Sequence, residues 1–336
     1  MKRLAIPVAL VAALASASAT AQTLKAVKER GSVVCGVGQV LYGFSAFDDK
    51  GNWSGFDVDL CRALAAAIFN DPSRVKYVPL SAAERFPPLQ SGAIDVLSRN
   101  TTWTMSRETS LGLNFAAVTY YDGQGFLVRT ALNVDTALEL GDKSTCVQAG
   151  TTSELNLAEF VQSNRMKHQV VVLPTAEEAL KAYESGRCDA LTSDVSQLYA
   201  ERLKLTKIGD HIILPDIISK EPLGPVVRQG DDQWFNLVKW THFAMVNAEE
   251  LGVSSATVDE ALQSEKPAVR RLVGTEGEFG TQMGLTKDWA LRIIKLVGNY
   301  DEVFERNLGA GSKLGIPRGI NNLWSNGGIQ YAPPIR

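Results

Sequence analysis

The sequence has few of the residues from which catalytic and metal sites are commonly built. It contains three histidines, His168, His211 and His242, and each is isolated in sequence. A Gly-x-Ser-x-Gly motif and a Walker-type loop are missing, and Gly36-Val37-Gly38 is only half of a dinucleotide-binding fingerprint. This inventory favours a binding protein over an enzyme, and it predicts neither a cofactor nor a metal site.

A surplus of basic residues is also missing. The chain has 34 Lys and Arg residues against 37 Asp and Glu residues. If the first 21 residues are removed, 32 basic and 37 acidic residues remain, with a net charge of −5. Nucleic-acid binding calls for a basic surplus gathered on one face, so we expect no nucleic-acid partner.

Long apolar runs are confined to the N-terminus. Lys2 and Arg3 precede an apolar run, Leu4–Leu14, and small residues that end in Ala19-Thr20-Ala21. This order is typical of a cleaved secretory signal peptide, which we place at residues 1–21. The apolar run falls short of the ~20 residues that span a bilayer. We therefore expect a mature chain that begins near Gln22 and is soluble in an exported compartment.

Segments with strand and helix patterns alternate along the mature chain. A β-branched run, Ser32–Val37, is followed by a helix with Asp57 as its predicted N-cap and then by a strand, Val75–Leu80. This alternation indicates mostly parallel sheets covered by helices. The segment Leu89–Leu97 is echoed by Tyr183–Leu191, and roughly 315 residues exceed a single core. We therefore predict two similar α/β lobes.

All four cysteines lie in the mature part of the chain. An even number in an exported protein favours disulfides, and the spacings match no zinc pattern. From their positions we predict that Cys35 pairs with Cys61 and that Cys146 pairs with Cys188, one bridge in each lobe.

Polar residues follow the strand-like run Ile94–Leu97. Strand alternation predicts that Asn100, Thr102 and Thr104 face one side, with Arg107 just beyond them. Guanidinium and hydroxyl donors suit the carboxylate of a small molecule. The alternative is an ordinary polar strand end with a solvated arginine, and the segment alone does not decide between the two.

Two further segments of the second lobe carry candidate ligand groups. Gly150, Thr151 and Thr152 begin a predicted helix after the strand Ser144–Gln148, where backbone N–H groups favour an anion. Asp194 ends a strand, where α/β sheets keep their ligands. Helix capping alone would also select threonine and aspartate at these positions, and capping is the commoner role.

The C-terminal third returns toward the first lobe. Pro222–Val227 is expected to be extended and to lead into a helix from Asp232 to about Glu249. Helices are predicted around Val258–Gln263 and over Lys287–Phe304. The tail from Gly309 is rich in glycine, asparagine and proline.

Together these segments resemble the periplasmic substrate-binding proteins of polar amino acid ABC transporters, family 3 of the bacterial extracellular solute-binding proteins. The general L-amino acid-binding branch is the most similar. The resemblance covers nearly all of the mature chain. It is most specific in four segments: Gly55–Leu60, Arg85–Arg107, Asn114-Phe115 and Gln148–Thr152.

The resemblance implies a two-lobed periplasmic-binding-protein-like fold of type II. Each lobe would be a mostly parallel sheet flanked by helices, and two crossover strands would join the lobes around a ligand cleft. Residues 22–126 would form the first part of lobe 1 and residues 127–221 would form lobe 2. Residues 222–336 would return to lobe 1 and add a C-terminal helical extension.

The resemblance also assigns roles to residues of the predicted cleft. Arg107 would hold the ligand α-carboxylate, helped by Thr102 and by the backbone at Thr152. The side-chain carbonyl of Asn100 and the carboxylate of Asp194 would receive the α-ammonium group. The remaining ligand-binding candidates are Gln39, Tyr42 and Arg85 around the ligand side chain, Gln148 on the opposite wall, and Thr151 beside Thr152.

The chain departs from some relatives at three positions in or near the predicted cleft. Many have glycine or serine where this chain has Asn100, and histidine where it has Ser193. Some binders of acidic amino acids place an arginine where Gly38 stands. The absence of that charge argues against strict specificity for glutamate and aspartate, although Arg85 keeps a polar ligand side chain welcome.

The resemblance thus implies a non-catalytic receptor in the periplasm of a Gram-negative bacterium. It would bind free L-amino acids with broad specificity, close about a hinge, and deliver them as a monomer to an inner-membrane ABC permease. The alternative is an enzyme of the same fold, such as a cyclohexadienyl dehydratase. A sensory module is a further rival, but the sequence carries no signalling domain to support it.

Overall fold

In the computed structural model, which describes residues 23–336, strands and helices alternate as the sequence predicts. The strands are β1 (Val33–Val37), β2 (Ala46–Phe47), β3 (Trp53–Ser54), β4 (Val75–Pro79), β5 (Val96–Leu97), β6 (Leu113–Phe115), β7 (Tyr120–Asp122), β8 (Gln124–Arg129), β9 (Ser144–Gln148), β10 (Gln169–Leu173), β11 (Ala190–Asp194), β12 (His211–Ile213), β13 (Glu221–Leu223) and β14 (Val226–Arg228). The α-helices are α1 (Thr23–Arg30), α2 (Phe56–Phe69), α3 (Phe86–Gln90), α4 (Met105–Leu111), α5 (Thr152–Ser163), α6 (Ala176–Glu184), α7 (Val195–Arg202), α8 (Asp232–Glu250), α9 (Val258–Ala261), α10 (Pro267–Val273), α11 (Phe279–Gln282), α12 (Trp289–Leu296) and α13 (Tyr300–Asn307). Within residues 23–336, no helix is long and apolar enough to cross a bilayer.

Two five-stranded sheets form the centres of two lobes. The sheet of lobe 1 has the order β4-β1-β5-β14-β6, and that of lobe 2 has the order β10-β9-β11-β8-β12. In each sheet three neighbouring strands are parallel, the fourth strand (β14 or β8) is antiparallel to them, and the edge strand (β6 or β12) is antiparallel to the fourth. The fold is therefore the α/β arrangement that the sequence predicts, with the same strand pattern in both lobes.

The lobes are joined by two crossover strands that pair with each other. Strand β7 lies antiparallel to β13, with Tyr120 opposite Leu223 and Asp122 opposite Glu221. Strand β8 already belongs to the sheet of lobe 2, and it spans the boundary expected at 126/127. We propose that the lobes divide at β7 and β13 instead.

Each lobe contains one disulfide, with the pairing predicted from sequence. Cys35 of β1 is bonded to Cys61 of α2, and Cys146 of β9 is bonded to Cys188 just before β11. All four cysteines are fully buried, so each bridge ties a central strand to its neighbours inside a hydrophobic core.

Two local predictions in lobe 1 are wrong. Asp57 is not the cap of α2: Gly55 occupies that position with φ 134°, and the Asp57 carboxylate accepts a hydrogen bond from the Asn100 N–H instead (2.9 Å). The chain after Leu97 does not continue as a strand. Thr104 is the N-cap of α4 and accepts a hydrogen bond from the Arg107 N–H (3.3 Å), because Ser/Thr capping prevails over strand alternation there.

The predicted helix Lys287–Phe304 is two helices, α12 and α13. Gly298 between them has φ 106°, a backbone conformation that residues with a Cβ rarely adopt. Asn299 then begins α13 in a capping box with Glu302. The C-terminal helices pack on α2 and α8 of lobe 1 around the buried rings of Trp234, Trp289 and Phe304.

Candidate functional site

A cavity of about 510 Å³ lies between the two lobes. Its walls are built where the chain leaves the carboxyl ends of β1, β4, β5 and β9, the edge at which α/β sheets usually hold ligands. Four predicted site residues line this cavity: Gln39, Tyr42, Asn100 and Gln148. The other six predicted residues are not among those that line it, so the cavity brings together only part of the predicted set: these six are Arg85, Thr102, Arg107, Thr151, Thr152 and Asp194.

Arg107 and the backbone of Thr102 form a donor pair in lobe 1. Thr102 bridges antiparallel to Leu223 through the backbone groups of its two neighbours, so its own N–H and C=O point away from β13. On that side Arg107 Nη1 donates to the Thr102 carbonyl oxygen (2.8 Å). The guanidinium and the Thr102 N–H thus share one side of the chain, an arrangement that suits a carboxylate.

The hydroxyl groups of Thr102 and Thr152 are engaged by a residue that sequence reasoning missed. Both donate to Oε2 of Glu221, at 2.6 and 2.9 Å, and Asn156 Nδ2 donates to Oε1 at 2.7 Å. Each hydroxyl has a single proton, so neither can donate to a ligand carboxylate at the same time. The Thr102 hydroxyl is therefore not available for the predicted contact with a ligand carboxylate, and its backbone N–H is the remaining donor.

Thr151 is a helix cap in this structure. Its hydroxyl accepts a hydrogen bond from the Glu154 N–H (3.2 Å) and donates to the Gln148 carbonyl oxygen (2.7 Å). The side chain is thus satisfied within lobe 2. Any contribution of Thr151 to ligand binding would come from the backbone at the start of α5, where unpaired N–H groups and the helix dipole favour an anion.

Asp194 lies at the N-cap position of α7, but its side chain makes no capping hydrogen bond. Its carboxylate is buried, with 6% of the residue exposed. Burial raises the pKa of Asp194 well above its usual range; the nearby carboxylates of Asp122 and Glu221 raise it further, and Arg107 and Arg85 oppose them. Helix capping therefore does not account for this aspartate. A cation beside it would offset the free-energy cost of burying its charged form.

Asp122 is a second acid that sequence reasoning missed. It lies on β7, where its carboxylate accepts hydrogen bonds from Ser196 and from the Gly123 N–H (2.8 Å). Burial raises the pKa of Asp122 to about 6, although these hydrogen bonds lower it. Asp122 and Glu221 lie opposite each other on β7 and β13, so the crossover strands bring carboxylates beside the cleft.

Two further arginines accompany Arg107. Arg85 is 3% exposed, and its guanidinium carbon lies 4.9 Å from the centre of the Phe86 ring. Arg99, another residue missed from the sequence, lines the cavity and donates from Nε to the Leu80 carbonyl oxygen (3.1 Å). Across residues 23–336, no carboxylate oxygen lies within the 4.0 Å ion-pair distance of these three arginines.

At the cavity mouth the lobes approach through exposed side chains. Tyr42 of lobe 1 is 50% exposed, and Lys204 Nζ of lobe 2 lies 6.0 Å from the centre of its ring. Tyr42 and Gln39 thus stand on one wall while Gln148 stands on the other. These positions suit residues that cover a bound molecule and contact its variable part.

Known proteins are similar to this chain over most of its length. Residues 33–254 match the family described as bacterial extracellular solute-binding proteins, family 3. The general L-amino acid-binding periplasmic protein AapJ of Rhizobium johnstonii is 57% identical over 330 residues, covering 98% of this chain and 97% of the relative. The glutamate/glutamine/aspartate/asparagine-binding protein BztA of Rhodobacter capsulatus is 49% identical over 327 residues, covering 97% of each chain.

A solved structure is similar over almost the whole described chain. It is an ABC transporter/periplasmic binding protein from Brucella ovis with glutathione bound. The two chains are 55% identical with a TM-score of 0.92, and the alignment covers 94% of this chain and 99% of the other. The similarity therefore includes the C-terminal helices as well as the two lobes.

Proposed function

This chain belongs to the bacterial extracellular solute-binding proteins of family 3, and on that basis we propose that it is a periplasmic receptor for free L-amino acids. The ligand would bind in the cleft between the lobes and pass to an inner-membrane ABC permease. The names of the relatives support the ligand class, since AapJ and BztA are both amino acid-binding proteins.

The proposal rests chiefly on a cation and a buried acid that lie on opposite lobes. A ligand ammonium group would stabilise the charged form of Asp194, whose pKa burial raises. Arg107 and the Thr102 N–H lie on lobe 1, and the buried Asp194 carboxylate lies on lobe 2. A zwitterion loses strong hydration when a cleft closes, so each of its charges needs a hydrogen-bonded partner of opposite sign. An α-amino acid supplies the two charges that this arrangement lacks.

In this proposal each predicted residue has a definite role. The α-carboxylate would contact Arg107 and the N–H groups of Thr102 and Thr152, and the α-ammonium group would contact Asp194 and the side-chain carbonyl of Asn100. The ligand side chain would extend toward the cavity walls formed by Gln39, Tyr42 and Gln148, with the buried Arg85 behind them.

Export and partners belong to the same proposal. The predicted signal peptide, residues 1–21, lies outside the described residues, and periplasmic relatives support its assignment. We extend the proposal to a permease partner and to a monomeric receptor, and relatives that belong to ABC transporters support the first of these. Delivery would require the permease to distinguish the closed, liganded receptor from the open one.

The enzyme alternative has to be weighed against two acids that lie beside the cleft, Asp122 and Glu221. A dehydratase needs an acid or base that can reach a leaving group. Glu221 accepts hydrogen bonds from hydroxyl and amide groups of the protein, and Asp122 accepts them from Ser196 and Gly123. Both carboxylates are thus committed to the crossover, which favours binding over catalysis.

A thermal-shift screen tests the proposal. The twenty L-amino acids, their D-isomers, prephenate and arogenate are added separately, since a ligand that binds only the folded state raises the melting temperature. We expect stabilisation by several L-amino acids and none by the D-isomers. Stabilisation by prephenate or arogenate alone, followed by turnover, would replace the receptor with the enzyme.

A further inference from the structure

We propose that Arg99, together with Arg85, forms a second anion-binding subsite that recognises a carboxylate on the ligand side chain. Dicarboxylic amino acids would then bind more tightly than the amides of the same shape. The inference rests on the proposed function, because it divides the same cavity into a part for the α-amino acid group and a part for the side chain.

Arg99 lies beside Gly38 at the cavity wall. A Cβ atom built on Gly38 would lie 3.9 Å from Cγ of Arg99 and 2.6 Å from Oγ of Ser45, and Gly38 and Arg99 both line the cavity. A long side chain at residue 38 would therefore compete with the stem of Arg99 for space. Arg99 therefore places a positive charge at the cavity wall beside Gly38.

Both arginines have N–H groups without a hydrogen-bond partner among the described residues. Arg99 donates from Nε to Leu80, and among the described residues its two terminal nitrogens have no protein hydrogen-bond partner. Nε of the buried Arg85 also lacks a partner within that part of the chain. A planar guanidinium with free terminal N–H groups is suited to bind a carboxylate through two parallel hydrogen bonds.

The acids near this pair do not neutralise it. Asp57 attracts Arg99, but burial raises the pKa of Asp57 to about 7, so it is only partly charged at neutral pH. Asp194 attracts both arginines, but burial raises its pKa well above the usual range, and in the proposed function the ligand ammonium group pairs with it. Since arginine keeps its proton in proteins, the pair retains a positive charge that a second ligand carboxylate would offset.

The three arginines also repel one another. Burial lowers the pKa of Arg85, and the charges of Arg99 and Arg107 lower it further. Arg107 and Arg85 approach the same Phe86 ring, so an α-carboxylate would relieve the repulsion of Arg85 from the Arg107 side. A second carboxylate on the ligand side chain would relieve it from the Arg99 side, whereas a neutral amide would not.

The test compares L-glutamate with L-glutamine, which have nearly the same shape and differ in charge. Dissociation constants are measured by calorimetry for the wild type and for Arg99→Met, which removes the charge and keeps a long side chain. We expect the variant to lose at least tenfold in affinity for glutamate, about 1.4 kcal/mol, and less than threefold for glutamine. Arg99→Lys should recover part of the glutamate affinity.

Arg74→Met is the matched control, because Arg74 is an exposed arginine of the same lobe paired with Asp71. It removes the same charge away from the cavity, and both affinities should stay at the wild-type value. An equal loss for glutamate and glutamine in Arg99→Met would make Arg99 a structural residue and overturn the subsite, with the receptor function intact.

The wild-type protein provides a readout that needs no variant. Binding of glutamine without binding of glutamate, or equal binding of glutamate and its γ-methyl ester, would overturn the subsite while the receptor remains. Absence of binding to any amino acid would instead overturn the proposed function, and the subsite with it.

Discussion

At the scale of single residues, the candidate site consists of polar groups that local structure leaves unused. Asp194 occupies the N-cap position of α7 but its side chain makes no capping hydrogen bond. Arg107 uses one of its five N–H donors in a hydrogen bond to the Thr102 carbonyl oxygen. Thr151, by contrast, uses its hydroxyl as both donor and acceptor within its own turn. This difference separates the side chains that can bind a zwitterion from the one that only shapes the backbone.

The first prediction concerns these unused charges. Arg107→Ala and Asp194→Ala should each weaken the binding of every amino acid ligand by more than tenfold, which exceeds ~1.4 kcal/mol. Truncation of one member of a buried charge pair commonly costs ~2–5 kcal/mol, because the other charge is left without a partner. Calorimetric titration with the best ligand of the screen measures the loss.

Thr151→Ser is the matched control, since serine retains the capping hydroxyl and should leave affinity within about threefold of the wild type. Affinity close to that of the wild type in Arg107→Ala or Asp194→Ala would remove that residue from its proposed role.

The sequence indicates some of these residues and hides others for a physical reason. Arg107 and Asp194 could be proposed from the sequence because Asp194 ends the strand β11 and Arg107 lies in the first turn of the helix after β5. Glu221 and Asp122 could not, since their proximity depends on the pairing of β13 with β7, which lie far apart in the chain. Arg99 was missed because its position beside Gly38 depends on the parallel pairing of β1 with β5.

At the scale of secondary structure elements, the C-terminal helices are a support for lobe 1 and its crossover. Tyr300 of α13 donates from its hydroxyl to the Thr119 carbonyl oxygen just before β7 (2.8 Å). Arg306 forms an ion pair with the buried Asp59 of α2 (2.8 Å). Strands and helices with local signals were predicted, whereas this packing, and the break at Gly298, depended on tertiary contacts and a single glycine.

The second prediction concerns the interface between α8 and α13, where His242 packs edge-on against the Tyr300 ring. Burial lowers the pKa of His242 to about 4, whereas an unfolded chain has a histidine pKa near 6.5. Between these values the unfolded chain binds more protons, so the contribution of His242 to stability declines as pH falls. Relative to His242→Gln, the wild type should lose about 2 kcal/mol of unfolding free energy between pH 7 and pH 5.

Urea unfolding at both pH values measures this difference. Asp57 and Asp122, whose pKa values burial raises to about 7 and about 6, act in the opposite direction, but they are present in both proteins and cancel in the comparison. A pH dependence of the same size in both proteins would show that His242 is not kept neutral at this interface.

At the scale of the whole molecule, Glu221 connects the two lobes through one carboxylate oxygen. One carboxylate oxygen accepts hydrogen bonds from Thr102 of lobe 1 and Thr152 of lobe 2, whose hydroxyl oxygens are 3.3 Å apart. The carboxylate itself lies on the crossover strand β13, and Glu221 is 1% exposed. These contacts can form only when the lobes are close, so they favour the closed arrangement before the ligand adds its own bonds.

The last prediction follows from this position. Glu221→Ala removes the hydrogen bonds that join the lobes, so the population of the closed form should fall. The affinity for every ligand should then decrease by the same factor, at least fivefold. The loss should not depend on the ligand side chain, unlike that expected for Arg99→Met, and the radius of gyration of the unliganded protein in solution scattering should increase. Asn156→Ala is the matched control, because Asn156 contacts the other carboxylate oxygen from lobe 2 only and does not join the lobes. An unchanged radius, or a loss confined to one class of ligand, would assign Glu221 to local structure or to specificity rather than to closure.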